Sequence, residues 1–272
     1  MKNFTLIQLF ACIFLIFLSS QYAQAQDKAK VISLSPHLTE LTFAAGAGDL
    51  LVGVVDYSNF PEKAKAIPRI GNAFQLDYEK ILLLQPDIIL SWEGGTPKAV
   101  EQKLKELGLT VVSLKQEKLT DIADSILLIG TLTHHEEDAK RNAEHFLEEL
   151  KHIKRHSSQS PISVFVQLSS RPIYTVNGSH IISEAIRYCG GYNIFHDLKP
   201  LSANVGMESI ITRKPQLILS SNEEHLKMWQ EVNNKNHLAE FLTLKPDLIY
   251  QATPRMLSGI KQLCQKIQKL AE

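Results

Sequence analysis

The residues of this 272-residue chain that could do chemistry are collected at the ends of apolar runs, outside any catalytic motif. VISLS (31–35) leads to Pro36 and His37, and LVGVV (51–55) leads to Asp56, Tyr57, Asn59 and Phe60. DIILS (87–91) leads to Trp92-Glu93-Gly94-Gly95, and SVFVQL (163–168) leads to Ser169, Ser170, Arg171 and Tyr174. In α/β proteins the ends of strands present ligand sites. Taken singly, Tyr57, Phe60 and Trp92 are equally readable as ordinary core or loop aromatics. A tryptophan followed by two glycines leans toward a ligand surface, because glycine lets backbone approach closely.

Catalytic signatures are missing. The chain has no G-x-S-x-G, no P-loop, no H-E-x-x-H and no C-x-x-C. Without a nucleophile–base pair, no catalytic residue is assigned and an enzyme is not expected. His152 and His156 have a spacing that could grip a metal from one helix face. With Lys151, Lys154 and Arg155 around them and no nearby carboxylate or third histidine, they read better as a solvated face. His37, His180 and His196 are the remaining candidates for a metal-ion site, which would need three or four converging ligands.

Two acids recur in equivalent settings. EKILLLQPDIIL (79–90) and ESIITRKPQLIL (208–219) each open with an acid, Glu79 and Glu208, and meet a proline seven positions on before a β-rich run. A third echo, LTLKPDLIY (242–250), lacks the leading Glu. A helix that stops before proline and re-enters as a strand explains the repeat. The acids also suit a first helical turn, where they complement the macrodipole.

The elements that must position these residues follow from periodicity. From Val31, short β-rich runs alternate with amphipathic stretches: VISLS, LVGVV, DIILSW and TVVSL (110–114), separated by HLTELTFAAG, YEKILLL and TPKAVEQKLKELG. Such alternation predicts parallel strands with helices on both faces. Residues 120–156 read as helical almost throughout, and Thr133-His134-His135-Glu136 reads as a capping box marking a kink or restart. After HSSQSP (156–161) alternation resumes with SVFVQL, a helix from Ser179 to Cys189, LILSS (217–221), DLIYQ (247–251) and a closing helix TPRMLSGIKQLCQKIQKL. The organisation predicted is an export signal (1–25), an α/β lobe (26–118), a helical linker (119–160) and a second α/β lobe (161–272).

The signal is read from Lys2, the apolar run LFACIFLIFL (9–18) and Ala23-Gln24-Ala25, with cleavage expected after Ala25. That run is short for a membrane anchor, and Phe10 and the apolar residues after Cys12 fit a lipobox poorly. With 29 basic and 29 acidic residues and no basic stripe, nucleic acid is not an expected partner. Beyond the signal no apolar run is long enough to cross a membrane. The two cysteines left after cleavage, Cys189 and Cys264, are expected to pair in an oxidising compartment.

VISLSPHLTELTFAAG, LVGVVDYSNFPEKAK, IILSWEGG, VFVQL, YCGGYNIF and ATPRMLSGIKQLC, in that order, closely resemble the periplasmic cobalamin-binding proteins of the BtuF type, which serve ABC importers. The resemblance covers nearly all of the mature chain, with Cys189 and Cys264 included. It implies two Rossmann-like lobes joined by a single long backbone helix, with ligand in the cleft between them. A stiff helical connection implies little hinge closure. In this family an acid on each lobe engages arginines on the two copies of the membrane permease, and Glu79 and Glu208 fall on those positions.

Tyr57 and Trp92 match aromatics of the family's cobalamin pocket, Tyr174 falls where an aromatic is expected, and Asp247 matches an acidic pocket position. The ligand set implied is Pro36, His37, Tyr57, Trp92, Tyr174 and Asp247. The chain departs from the pattern at Ala73 (beside Phe74), near Ser202 and at Gln251, where the family has Trp, Trp and Arg. These departures leave haem, a ferric siderophore or another corrinoid as alternatives to cobalamin, and a metal ion as a further one. The resemblance implies a periplasmic monomer with no resident cofactor other than its ligand.

Overall fold

The structure, a computed structural model, describes residues 29–72, 75–153, 160–236 and 239–272. The expected export signal, Ala73, Phe74 and His156 lie outside the described residues.

In the first half, strands β1 (Val31–Ser33), β2 (Leu51–Val54), β3 (Ile88–Trp92) and β4 (Val111–Leu114) form a parallel sheet in the order β2-β1-β3-β4. The second half contributes β5 (Ile162–Gln167), β6 (Ser169–Ser170), β7 (Ile173–Val176), β8 (Gly191–Asn193), β9 (Ser202–Asn204), β10 (Leu217–Ser220) and β11 (Glu240–Thr243). Of these, β11-β10-β5-β8 form a second parallel sheet, and β6-β7-β9 form a small antiparallel one. Parallel neighbours require crossovers, and the amphipathic segments between the runs supply them as helices.

The period of two along each strand divides the core. Val31 and Leu90 point into one apolar cluster, Ile32 and Ile89 into another. Val164, Val166, Leu217 and Leu219 join that same first cluster, while Phe165 and Ile218 pack outward with Trp229. The shared cluster also takes in Ile122, Ile126 and Ile129, Phe146 and Leu150, and Met256, Ile260 and Leu263 from the helices between the sheets. One continuous apolar core therefore spans both lobes.

The repeated proline unit is structural as expected. Helix Tyr78–Leu84 is capped by Asp77, whose side chain accepts the Lys80 N–H at 2.9 Å, and it stops at Gln85 in the left-handed region (φ 50°). Helix Met207–Thr212 stops in the same way, with Lys214 left-handed (φ 46°) before Pro215. The third echo departs from expectation. DLIYQ is not a strand: Pro246–Ile249 is a short helix, and the strand lies earlier, at Glu240–Thr243. Pro246 sits in the first turn, where its missing N–H costs nothing.

The helical backbone expected across 119–160 is present but is two helices rather than one, Thr120–Thr133 and Glu136–His152. The break falls where a restart was expected, although no capping box forms. Thr133 Oγ1 donates to the Ile129 carbonyl at 2.7 Å, and His135, the N-cap of the second helix, makes no side-chain cap hydrogen bond. His134 turns the chain in the left-handed region (φ 58°), and the two helices pack against each other. Gly130 makes this possible, because a Cβ there would lie 2.2 Å from that of Ala139.

Cys189, at the end of helix Ile181–Tyr188, is bonded to Cys264 of helix Met256–Ala271, as expected. The bridge spans a sequence separation of 75, and closing a loop of that length restricts the unfolded chain by about 4 kcal/mol in the chain-entropy account. Protein exported natively is expected to show no alkylated cysteine at these positions until reduced. A Cys189→Ser, Cys264→Ser protein is expected to unfold at lower denaturant with up to that loss, measured by urea titration.

Candidate functional site

The two lobes face each other across a cleft with two adjoining recesses. The larger, of about 320 Å³, is lined from the first lobe by His37, Trp92 and Gln116 and from the second by Asn177, His180 and Tyr250. The smaller, of about 270 Å³, is lined by Pro36, Glu40 and Tyr57 from the first lobe and by Asp247, Gln251 and Arg255 from the second. The recesses adjoin because Pro36 and His37 open one helix and Tyr250 and Gln251 are consecutive. Five of the six expected ligand residues thus meet in the cleft. Tyr174, half exposed on β7 between Ser169 and Asn204, lines neither recess.

Local chemistry explains how each side chain is held. Pro36 begins helix Pro36–Ala44 at a position that tolerates it, which fixes His37 at the end of β1. His37 is buried, its Nδ1 2.6 Å from Ser35 Oγ, and its ring meets Trp92 edge-on at 5.1 Å between centroids. Burial lowers its pKa to about 4, opposed in part by the nearby Gln116 amide. Nε2 of His37 and Oε1 of Gln116 are both buried with no partner at bonding distance. Trp92 in turn rests on Gly95, where a Cβ would fall 1.7 Å from the indole. The glycine after the tryptophan is therefore needed to seat the ring. Tyr57 stands at the rim, 81% exposed and in the left-handed region (φ 66°), a conformation costly for a non-glycine residue and common at ligand clamps.

Sequence reasoning missed the strongest interaction in the cleft. Glu40, 5% exposed by its side chain, accepts from Arg255 Nε at 3.0 and 2.9 Å and from Nη2 at 2.6 Å. Arg255 Nη1 reaches Asp247 at 3.1 Å, and the guanidinium lies over the Phe60 ring at 4.0 Å. Burial works against the charge on Arg255, and Glu40 and Asp247 more than offset it, so the guanidinium lies above its ordinary pKa. Glu40 belongs to the first lobe and Arg255 to the second, so this is an interlobe clasp. The available signal was a lone acid in the otherwise uncharged helix HLTELTFA.

Glu79 and Glu208 sit in the first turns of equivalent helices, both exposed, and among the described residues neither forms an ion pair. The metal-ion candidates do not converge. His37 and His180 share the larger recess, while His196 bonds through Nδ1 to the Asn193 carbonyl and lines neither. Among the described residues no group of three or more His, Cys, Asp or Glu could hold a metal ion. His152 is exposed, with Glu148 at 4.0 Å, so a carboxylate is nearby after all. No helix among the described residues is long and apolar enough to cross a membrane.

A cleft walled by two α/β lobes on a helical backbone defines a bilobal solute-binding protein. The chain belongs to the periplasmic binding protein family, which it matches over residues 31–256. It is 34% identical over 264 residues to a vitamin B12-binding protein of Vibrio cholerae, covering 95% of this chain and 96% of that one. It is equally identical, at 34% over 267 residues, to a vitamin B12-binding protein of Yersinia pestis, covering 96% of this chain and 93% of that one. The crystal structure of the periplasmic vitamin B12 binding protein BtuF of Vibrio cholerae superposes with a TM-score of 0.83 at 33% identity, over 90% of this chain and 98% of that one. The apo periplasmic heme-binding protein RhuT of Roseiflexus shares the fold (TM-score 0.75, 20% identity, 90% of this chain and all of that one).

The cleft histidines make stability depend on pH. Burial brings His37 and His180 from 6.5 to about 4, so both rings are neutral in the folded protein near neutrality. Unfolding restores the ordinary value, so as pH falls the unfolded chain takes up protons first. Their contribution is complete above about 6.5 and is lost progressively down to about 4, by on the order of 3 kcal/mol each at most. Melting of ligand-free protein at about pH 7 and about pH 4.5 is expected to show this loss. A His37→Gln, His180→Asn protein is expected to show a shallower one, and an equal slope would contradict the assignment.

Proposed function

We propose that the protein captures cobalamin in the interlobe cleft of the periplasm and delivers it to an ABC importer of the inner membrane, docking on the permease through Glu79 and Glu208. The observation that carries the reading is 34% identity to vitamin B12-binding proteins along 95% of the chain. The chemistry of the cleft supports it. Its cations are largely taken, Lys115 by Glu117 at 3.2 Å and Arg255 by Glu40 and Asp247. Apart from Glu93, an exposed carboxylate lining the larger recess, and the carboxylates already paired with Lys115 and Arg255, what faces the ligand is amide, hydroxyl and neutral imidazole: Asn59, Gln116, Asn177, Ser179, His180 and Gln251. A corrin rimmed by amides meets such a wall without stranding charge. Haem brings two carboxylates, and burying them without cations is costly. Among the described residues Lys199 is the one cation of the recesses with no ion pair, which suits the single phosphate of cobalamin.

Trp92 and Tyr57 supply the apolar surface against which a macrocycle packs, a contact of about 1 kcal/mol or more per ring. Tyr174 is assigned to the outer edge of the same site. The lobes are taken as 26–118 and 161–272 with the helical linker at 119–160, the export signal as cleaved after Ala25, and the working form as a monomer. Gln251 stands in place of the expected arginine, and Arg255, four positions on and just before the closing helix, supplies a guanidinium to the same recess.

Calorimetry with cyanocobalamin is expected to give one-to-one binding that Trp92→Ala weakens. Absence of heat alongside tight haem or ferric-siderophore binding would overturn the ligand and leave the fold intact. Docking separates from folding in a second measurement. If the acids only complement the helix dipole, Glu79→Lys and Glu208→Lys cost on the order of 1 kcal/mol of stability and leave transport unchanged. Under the docking reading each leaves melting temperature and cobalamin affinity nearly unchanged but lowers cobalamin uptake, and the double reversal lowers it further by setting like charges in contact. Normal uptake by the double variant would reduce the repeat to a folding device.

A further inference from the structure

His180 occupies an unusual place for a histidine. It is the N-cap of helix Ile181–Tyr188, with extended backbone (φ −72°, ψ 143°), and its Nδ1 accepts the Ile182 N–H at 3.2 Å. Caps of this kind are usually Ser, Thr, Asp or Asn, whose side-chain oxygens take the orphan N–H. An imidazole can do so only if Nδ1 carries a lone pair, so the neutral ring must hold its proton on Nε2. Burial keeps the ring neutral over the working range, since its pKa is brought down to about 4. The same ring lines the larger recess of the cleft, opposite Trp92 and beside Asn177 and Ser179. With Nδ1 committed to the helix, the edge free to meet a ligand is an N–H donor of fixed tautomer.

We infer that His180 is a ligand-binding residue of the cleft, donating from Nε2–H to an oxygen acceptor on the rim of the bound molecule. Resting on the corrinoid reading above, that acceptor is a side-chain amide carbonyl of the corrin. His37, the other histidine of the recess, is held differently, with Nδ1 2.6 Å from Ser35 Oγ and Nε2 buried with no partner. The two rings are therefore not an interchangeable pair. His180 also cannot ligate a metal through Nε2 in this arrangement, since that atom has no lone pair while the cap is made. The helix start thus dictates the hydrogen-bonding sense of the ligand site.

His180→Asn separates the two roles. Asn is among the best N-caps, so the helix start survives, while its shorter side chain withdraws the donor from the cleft. The expected result is a melting temperature close to the parent and a Kd for cyanocobalamin about 5- to 10-fold weaker, the size of one net hydrogen bond. Unchanged melting with a Kd within about twofold of the parent would overturn the inference. Should the variant lose stability, nitrogen-15 spectra of the imidazoles in the parent protein decide. Nε2 is expected to be protonated in the free protein, and its N–H signal to move when cyanocobalamin is added. A ring protonated on Nδ1, or an Nε2–H signal that stays in place on saturation, would refute it. If the parent binds haem and not cyanocobalamin, the corrinoid reading falls, and the same Kd comparison made with haem still tests the donor.

Discussion

A carboxylate buried in the first lobe can be tolerated only if a cation comes to it, and the cation comes from the other lobe. Glu40 sits inside the helix that also carries His37, and Arg255 begins the closing helix of the second lobe, with three hydrogen bonds between them. Removing either partner would strand a buried charge, which costs about 3–5 kcal/mol. The pair need not add net stability over an apolar substitute. What it fixes is geometry, because a planar guanidinium gripping a carboxylate through the Nε and Nη2 groups of one edge tolerates little rotation. Around this point the smaller recess is built, with Phe60 stacked on the guanidinium and Asp247 taking its remaining edge.

The clasp does not hold the lobes alone. Alternate residues of both central strands feed one apolar cluster that continues through the paired backbone helices and the closing helix. Opening the lobes widely would expose part of that cluster to water at about 25 cal/mol per Å². A preformed cleft follows, with walls that are set before ligand arrives. Preorganised walls suit a rigid macrocycle, because little conformational entropy is lost on binding. The same rigidity presents Glu79 and Glu208 at a fixed spacing, which a two-fold symmetric partner could use.

How much of this was legible in the sequence depends on range. The alternating strands, the proline units and the break near Thr133 are local patterns, and the structure follows them. DLIYQ misled because its three apolar residues, Leu248, Ile249 and Tyr250, are too few to show a period, and Pro246 decided for helix. The β6-β7-β9 sheet escaped notice because its strands are two to four residues long and mostly polar. The clasp was invisible for another reason. Its partners are 215 positions apart, and each taken alone looks like an ordinary surface charge. His180 was legible as a histidine near a helix start, but its tautomer depends on a backbone N–H that only the folded helix provides.

The central claim is that clasp and shared core hold the cleft ready-made, so that ligand fills it without moving the lobes. Spin labels at Lys105→Cys and Lys227→Cys, on exposed outer helices of the two lobes, report the interlobe distance directly. With Cys189 and Cys264 bonded to each other, and with protein prepared without the export signal that carries Cys12, only these sites take label. The account predicts that the distance distribution shifts by no more than about 2 Å when cyanocobalamin saturates the protein, and that Arg255→Ala broadens it in the free state. A ligand-induced shift on the order of 10 Å, or a free-state distribution indifferent to Arg255→Ala, would contradict it.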